Sequence, residues 1–370
     1  MRNNAQKAIV AAILVTILLL SPPVKVFAQE AVTIPAETAA AEATAPPETA
    51  PAETTPATEA VPDATAEAEA PTEPESSQIV IQGADPSSKV YQICDALAQT
   101  MEARHLFVYD TNTDKILYAK TVGNGKLFPA SVTKLFSSYV ALQYLDPDTL
   151  VTAGDELDLL HEGSSLAGVS RGSRLRVKTL VEGMMLPSGN DAALVLAAAA
   201  GRVIAKDDTL SGADAVAVFV DEMNRKAEAY GFEQSNFSNP DGWHTGSHYT
   251  CMNDLARIAK LALSNSTMRR YMRLSKDTSP LGSGLIWENT NILLYRDGAY
   301  YRGDAVGMKT GFTRPAGYCL MSAFTFEEGE IVIGLFGYTS KNSRFLDAIY
   351  LIKAVKEQLR LDLLADASVG

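Results

Sequence analysis

Apolar residues recur at strand spacing in two short runs, HLFVYD and KILYAK, separated by Thr111-Asn112-Thr113-Asp114, which predicts a β-hairpin at the start of a sheet. Pro129-Ala130 then introduces SVTKLFSSYVALQYL (131–145), whose apolar spacing and length fit a buried helix. LPSGN precedes a second strongly helical run, DAALVLAAAAGRVIA (191–205), and the helical region continues through 213–230 and 252–263. DAVGMKTG, GYCLMSAFTF and EIVIGLFGYT (304–311, 317–326 and 330–339) predict three strands, the last two joined by Glu327-Glu328-Gly329, and a final helix spans about 342–359. Strands at both ends with helices between them predict an α+β fold. The terminal strands meet in one antiparallel sheet flanked by helices, and the middle of the chain forms a helical subdomain. No internal repeat is visible.

This patterning is absent from the first part of the chain. MRNNAQKAIVAAILVTILLLSPPVKVFAQE opens with two positive charges, Arg2 and Lys7, followed by an apolar stretch from Ala8 to Leu20, a Pro22-Pro23 break and then Val26-Phe27-Ala28. That order fits a secretory signal peptide over 1–28, and the apolar stretch is short for a bilayer span. If it stays uncleaved, the same segment is a membrane tether. No Cys follows the stretch, which argues against lipid attachment there. Residues 29–84 read as a disordered acidic linker. Its part from 30 to 78 mixes Ala, Glu, Thr and Pro with almost no large apolar side chain whose burial would offset the entropy of ordering. Repeated Pro and mutually repelling Glu favour extension, so that about sixty residues reach at most ~190 Å at about 3.1 Å each. Residues 85–370 are expected to form one domain, exported and working outside the cytoplasm.

Charge follows this division. The net charge is −12, yet Gln29 to Ser88 holds twelve acidic residues and no Lys, Arg or His, so residues 89–370 are nearly neutral. The acidity belongs to the linker. A nucleic-acid partner is excluded, because phosphate binding needs clustered Lys and Arg. A polytopic membrane protein is excluded too, since no run after residue 20 approaches the length of an apolar span.

Three cysteines, Cys94, Cys251 and Cys319, lie far apart in an exported chain. Their spacing matches neither a zinc site nor a dense disulfide framework, and buried thiols are the expected state. His244 and His248 form an H-x-x-x-H, but Thr245-Gly246-Ser247 between them is turn-like and the Glu of H-E-x-x-H is missing, so no metal is expected. Gly168-Val169-Ser170-Arg171-Gly172 matches the G-x-S-x-G elbow without the apolar strand that should precede it, and reads as a chance loop match.

Three other motifs carry chemistry. Ser131-Val132-Thr133-Lys134 is an S-x-x-K at a helix start, where a spacing of three puts the amine one turn from the hydroxyl on the same face. Backbone N–H groups of the first turn favour an oxyanion there. Ser188-Gly189-Asn190, in a loop before a helix, offers a hydroxyl for proton relay and an amide for a substrate peptide group. Lys309-Thr310-Gly311 ends a strand, with a cation and a hydroxyl for a substrate carboxylate beside an edge on which an extended peptide can pair. Each is weak alone, since chance supplies about one S-x-x-K in a chain of this length. Their order and settings together are specific.

With these residues in place, the sequence resembles the low-molecular-weight penicillin-binding proteins of the D-alanyl-D-alanine carboxypeptidase family, in the serine β-lactamase and DD-peptidase fold. FPASVTKLFSSYVAL, GSSLAGVSRGSRLRVKTLVEGMMLPSGNDAA, FVDEMNRKAEAYGFEQSNFSNPDGW, HYTCMNDLARIAKLAL and GMKTGFTRPAGYCLMSAF are similar to that family's segments, from about Arg104 to Lys353. The resemblance implies Ser131 as nucleophile, Lys134 as its base, Ser188 and Asn190 as second-motif groups, and Lys309, Thr310 and Gly311 as the substrate-side strand. The N–H groups of Ser131 and Phe312 would form the oxyanion hole. The implied partners are a peptidoglycan stem peptide ending in D-Ala-D-Ala and β-lactam antibiotics, with no cofactor. The sequence departs from the family at Asp114, where a Gly is common, at Met252-Asn253, where Ala-Arg is frequent, and in carrying no β-rich domain with an amphipathic anchor before Gly370, so attachment through the C-terminus is not expected.

A lysine with an ordinary pKa is neutral in roughly one of a few thousand molecules at pH 7, a penalty of roughly 4.6 kcal/mol for acting as base. Partial burial and a neighbouring cation such as Lys309 would lower it. Two alternatives share the motifs. A class A β-lactamase usually has Asp in the middle of the second motif, where this chain has Gly189, and an E-x-x-x-N that Asp221-Glu222-Met223-Asn224 does not reproduce. A catalytically silent wall-binding protein would keep the fold without turnover.

Overall fold

The hairpin and the three late strands come together as one sheet. The computed structural model describes residues 78–282 and 284–367; the signal segment and most of the linker lie outside them. Strands β1 (His105–Asp110) and β2 (Lys115–Lys120) pair antiparallel, and β1 pairs on its other side with the last strand. Two short ribbons come between, β3 (Leu150–Thr152) with β4 (Arg174–Arg176) and β5 (Lys276–Thr278) with β6 (Ile286–Glu288). With β7 (Ala305–Thr313), β8 (Gly317–Phe326) and β9 (Gly329–Tyr338), the main sheet has the order β2-β1-β9-β8-β7 and is antiparallel throughout. Its first and last strands in the chain meet through Phe107 opposite Gly334, where a Cβ would lie 2.1 Å from the Phe107 ring.

Every residue of β1 is buried, because helices cover both faces of the sheet, and this is why HLFVYD is apolar nearly throughout. One face packs under α1 (Lys89–Ala98) and the C-terminal helix, through Val90, Leu97, Leu106, Val108, Leu351 and Val355. The other carries the larger core, built from Phe107, Tyr109 and the helices α2 (Thr133–Ala141), α3 (Val177–Met185), α4 (Asn190–Ala205), α5 (Gly212–Ala229), α6 (Met252–Ser264) and α7 (Ser266–Met272). The C-terminal helix, α8, is Ser343–Ala367 and runs beyond the expected end at 359.

The predicted helix over 131–145 is shorter and broken. A 3₁₀ turn, Ala130–Val132, leads into α2, which ends at Ala141. Ala130 is left-handed (φ 48°), a conformation that no helix interior tolerates. Residues 79–82, at the end of the expected linker, contact the domain. Ile79 N–H donates to Tyr230 O, Gln82 N–H donates to Asp114 O and accepts at its own carbonyl from Ile116 N–H in β2, and Ile79 and Ile81 pack on the core. Ile79 and Ile81 are partly buried against that core while Val80 between them is exposed, and large apolar side chains are almost absent from the Ala-Glu-Thr-Pro repeat before them. The three thiols are free and buried, and burial pushes Cys251 and Cys319 up to about 12.

Candidate active site

Ser131 sits in the 3₁₀ turn and Lys134 in the first turn of α2, so the S-x-x-K spacing acts across a turn junction. Lys134 is completely buried. Its Nζ lies 2.9 Å from Ser131 Oγ, 2.7 Å from Asn190 Oδ1 and 2.7 Å from the backbone carbonyl of Asp241. Two of these partners can only accept. A neutral amine has two N–H groups and one lone pair, so Asn190 and Asp241 take both N–H groups and leave the lone pair facing the Ser131 hydroxyl. Burial lowers the Lys134 pKa to about 8, against the opposing pull of the Asp241 and Asp191 carboxylates. At that value roughly one molecule in ten is neutral at pH 7, and the penalty for acting as base falls to about 1.4 kcal/mol.

The Asp241 carbonyl comes from a turn that the motif reading missed. Gly242, at φ 84°, packs so close that a Cβ would sit 1.9 Å from Ala130 O. Ser137 Oγ donates to Pro240 O at 2.7 Å, and Gly242 N–H to Asn239 Oδ1 at 2.8 Å. Trp243 leaves the turn to stack on His161, with ring centroids 4.5 Å apart. The Asp-Gly pair marked a turn, but nothing local said what it would touch.

The second motif connects α3 to α4. Ser188 is buried and left-handed (φ 65°), and Asn190 opens α4 with Nδ2 donating to Ser164 Oγ at 3.1 Å. Gly189 is sterically required: a Cβ there would lie 2.5 Å from Asp191 Oδ1 and 2.7 Å from Ala167 Cβ. The third motif lies on edge strand β7. Lys309 is buried and donates to Thr310 O at 3.0 Å, and Thr310 Oγ1 donates to Thr290 Oγ1 at 2.6 Å. Gly311 abuts the Ser131 turn, since a Cβ would be 3.1 Å from Ser131 N. Phe312, half exposed, packs on Tyr318 with centroids 4.4 Å apart. Each motif thus adjoins or contains a non-glycine residue at positive φ, namely Ala130, Ser188 and Met308. Strain of this kind gathers at functional sites.

Burial, then the charges of Lys134 and Arg344, hold the Lys309 pKa well below its ordinary value. Arg344 is a second residue that the sequence did not disclose. It is 3% exposed at the start of α8, with its guanidinium over the Tyr318 and Phe345 rings, and neither Nε nor Nη1 has a partner among the described residues. Two buried cations at the end of β7 make a seat for an anion.

The histidine pair serves structure. His248 lies 2.8 Å from Thr133 Oγ1, and His244 packs edge-on against Phe128. Among the described residues no His, Cys, Asp or Glu cluster could hold a metal ion. Ser170 of the G-x-S-x-G is exposed. A cleft of about 1280 Å³ opens beyond Pro187 and Thr290, but it contains neither Ser131 nor either lysine.

An antiparallel sheet whose edge strand faces a serine bonded to a buried lysine defines the class: this is the fold of the serine β-lactamases and DD-peptidases. Residues 92–336 match the D-alanyl-D-alanine carboxypeptidase family. The chain is 32% identical over 257 residues to a D-alanyl-D-alanine carboxypeptidase of Streptomyces sp. (strain K15), covering 65% of this chain and 83% of that protein. It is 28% identical over 255 residues to the D-alanyl-D-alanine carboxypeptidase DacF of Bacillus subtilis (strain 168), covering 66% of this chain but only 59% of the relative. The solved Streptomyces K15 DD-transpeptidase superposes with a TM-score of 0.59 at 30% identity, over 69% of this chain and 97% of that one. The chain belongs to the D-alanyl-D-alanine carboxypeptidase family.

Proposed function

We propose that this protein is a serine D-Ala-D-Ala carboxypeptidase that removes the terminal D-Ala from peptidoglycan stem peptides through an acyl-enzyme at Ser131, and that penicillin acylates the same serine. The observation that carries this reading is the buried Lys134 amine, with its two N–H groups occupied and its lone pair left for Ser131. Lys134 takes the hydroxyl proton as Ser131 attacks the penultimate D-Ala carbonyl, and the N–H groups of Ser131 and Phe312 receive the oxyanion. Ser188 relays a proton to the leaving amine. Asn190 bonds the substrate backbone, Lys309, Thr310 and Arg344 hold the terminal carboxylate, and Gly311 leaves room for the peptide along β7. Water, activated by Lys134, then frees the shortened peptide and restores the hydroxyl.

Two features favour this over a β-lactamase. An Asp side chain does not fit at Gly189. Glu222, the acid nearest in sequence to a deacylating base, is tied to Arg225 by a 2.6 Å ion pair, and Asn224 is bonded to the backbone of Phe237. Incubation with a diacetyl-Lys-D-Ala-D-Ala peptide and with penicillin tests the reading. Release of D-Ala and a long-lived adduct on the peptide containing Ser131 are expected. Fast penicillin turnover without D-Ala release would make it a β-lactamase, and retained peptide affinity without release a silent binder.

Replacement of Lys309 by Met separates binding from stability. Loss of the carboxylate partner is expected to lower kcat/KM by about 10²-fold. Removing a charge that is buried with a single hydrogen bond should raise the pH 7 melting temperature by a few degrees. A lowered melting temperature would contradict the second expectation. The domain is proposed to work outside the cytoplasm, exported by residues 1–28 and carried on the acidic linker. The linker becomes a tether to the membrane if the signal segment is retained, which N-terminal sequencing of the exported protein decides.

A further inference from the structure

Asp191, immediately after Asn190, is 1% exposed, and its carboxylate is met by four backbone N–H groups and, among the described residues, by no cation at hydrogen-bond distance. Oδ1 accepts from Ala167 at 2.8 Å and Ala192 at 2.9 Å, and Oδ2 from Gly168 and Val169, both at 2.8 Å. Three of these donors belong to the loop over 164–169. The same loop grips Asn190 twice: Asn190 N–H donates to Ser165 O at 2.8 Å and Nδ2 to Ser164 Oγ at 3.1 Å. From behind, Trp287 Nε1 donates to Ala167 O at 2.8 Å. An amide has one end that accepts and one that donates. The Ser164 contact therefore decides that Asn190 turns Oδ1, and not Nδ2, toward Lys134.

We propose that Asp191 is a positioning residue for the acyl transfer: by clamping three N–H groups of the 164–169 loop it fixes Ser164 and Ser165, and through them the Asn190 amide that holds Lys134. The proposal rests on Lys134 being the base. A neutral side chain would not suffice. Four donors saturate the lone pairs of a carboxylate, whereas an amide of the same shape presents an NH₂ to two of them. The charge has a second effect, since Asp191 and Asp241 together favour the protonated form of Lys134 against burial. The other titratable groups around that amine are Lys309 on β7, whose charge opposes its own, and His248 behind α2, which burial holds neutral with a pKa of about 3.

Asp191→Asn, compared with wild type and with Ser164→Ala, tests this in stopped-flow penicillin acylation, with rates expressed per titratable serine. Asp191→Asn is expected to lower the plateau rate by about 10²-fold and to move the midpoint of the pH–rate curve down by roughly half a unit to one unit, because a negative charge near the amine is gone. Ser164→Ala keeps the charge and is expected to slow acylation by about tenfold with the midpoint unmoved. A residue that merely stabilised the fold would reduce the number of titratable sites but leave rate and midpoint per site at wild-type values, and that result overturns the proposal. Should Asp191→Asn not fold, a wild-type rate in Ser164→Ala overturns it instead. Wild-type protein that forms no adduct at Ser131 would refute the function and not this clamp.

Discussion

Replacement of Ser131 by alanine is expected to leave no covalent penicillin adduct and to lower D-Ala release by ~10⁴-fold or more, because among the described residues Ser131 is the hydroxyl bonded to Lys134 Nζ. The fold should survive. Ser131 Oγ contributes one hydrogen bond to Lys134, and the amine keeps Asn190 and the Asp241 carbonyl. Loss of one such bond is worth about 1 kcal/mol, or a few degrees of melting temperature. Intact-mass measurement after penicillin treatment, with a thermal melt on the same sample, separates the two effects. An adduct that persists in Ser131→Ala would remove Ser131 from the mechanism.

Lys134→Met is expected to lower acylation by 10³- to 10⁴-fold, roughly the worth of a positioned general base. It should also change the shape of the pH dependence. In the wild type, acylation is expected to rise with pH as the amine deprotonates and to level off above about 8. In Lys134→Met the remaining rate should not follow that titration. Stability carries the same signature with a definite sign. The folded-state pKa lies below the value of roughly 10.4 for an unfolded lysine, so between them the unfolded chain binds more protons and stability increases with pH. Acidification below about 8 leaves a buried charge and the full penalty. Unfolding free energies measured from pH 7 to 10 should rise in wild type and rise less steeply in Lys134→Met, where the depressed Lys309 keeps its own share of the rise. A wild-type acylation profile flat across this range would contradict the shifted lysine.

The sheet was legible because its strands announce themselves locally. HLFVYD and KILYAK flank a turn, and three apolar runs follow at the end, so their antiparallel meeting is the simplest way to bury both termini of the fold. The 131–145 helix was overextended because apolar periodicity does not distinguish an α-helix from the 3₁₀ turn before it, or from the tight turns after Ala141 in which Gln143 and Tyr144 bond three residues back. The S-x-x-K could be read because a helical turn brings its two members together without help from the rest of the chain. Asp191 was passed over beside Asn190, since an acid in the first turn of a helix ordinarily faces water and the dipole. Only the docked 164–169 loop turns it inward.

Local chemistry, then, sufficed for the order of elements, the class of fold and the three motifs, since turns, strand runs and a spacing of three are decided within a few residues. The tertiary structure decided what those motifs can do. It brought the Asp241 carbonyl, the Asn190 amide and Arg344 from distant segments, and it excluded water from around Lys134. A pKa depends on which dipoles surround an amine and how little solvent reaches it, and both are set by packing between residues far apart in the chain.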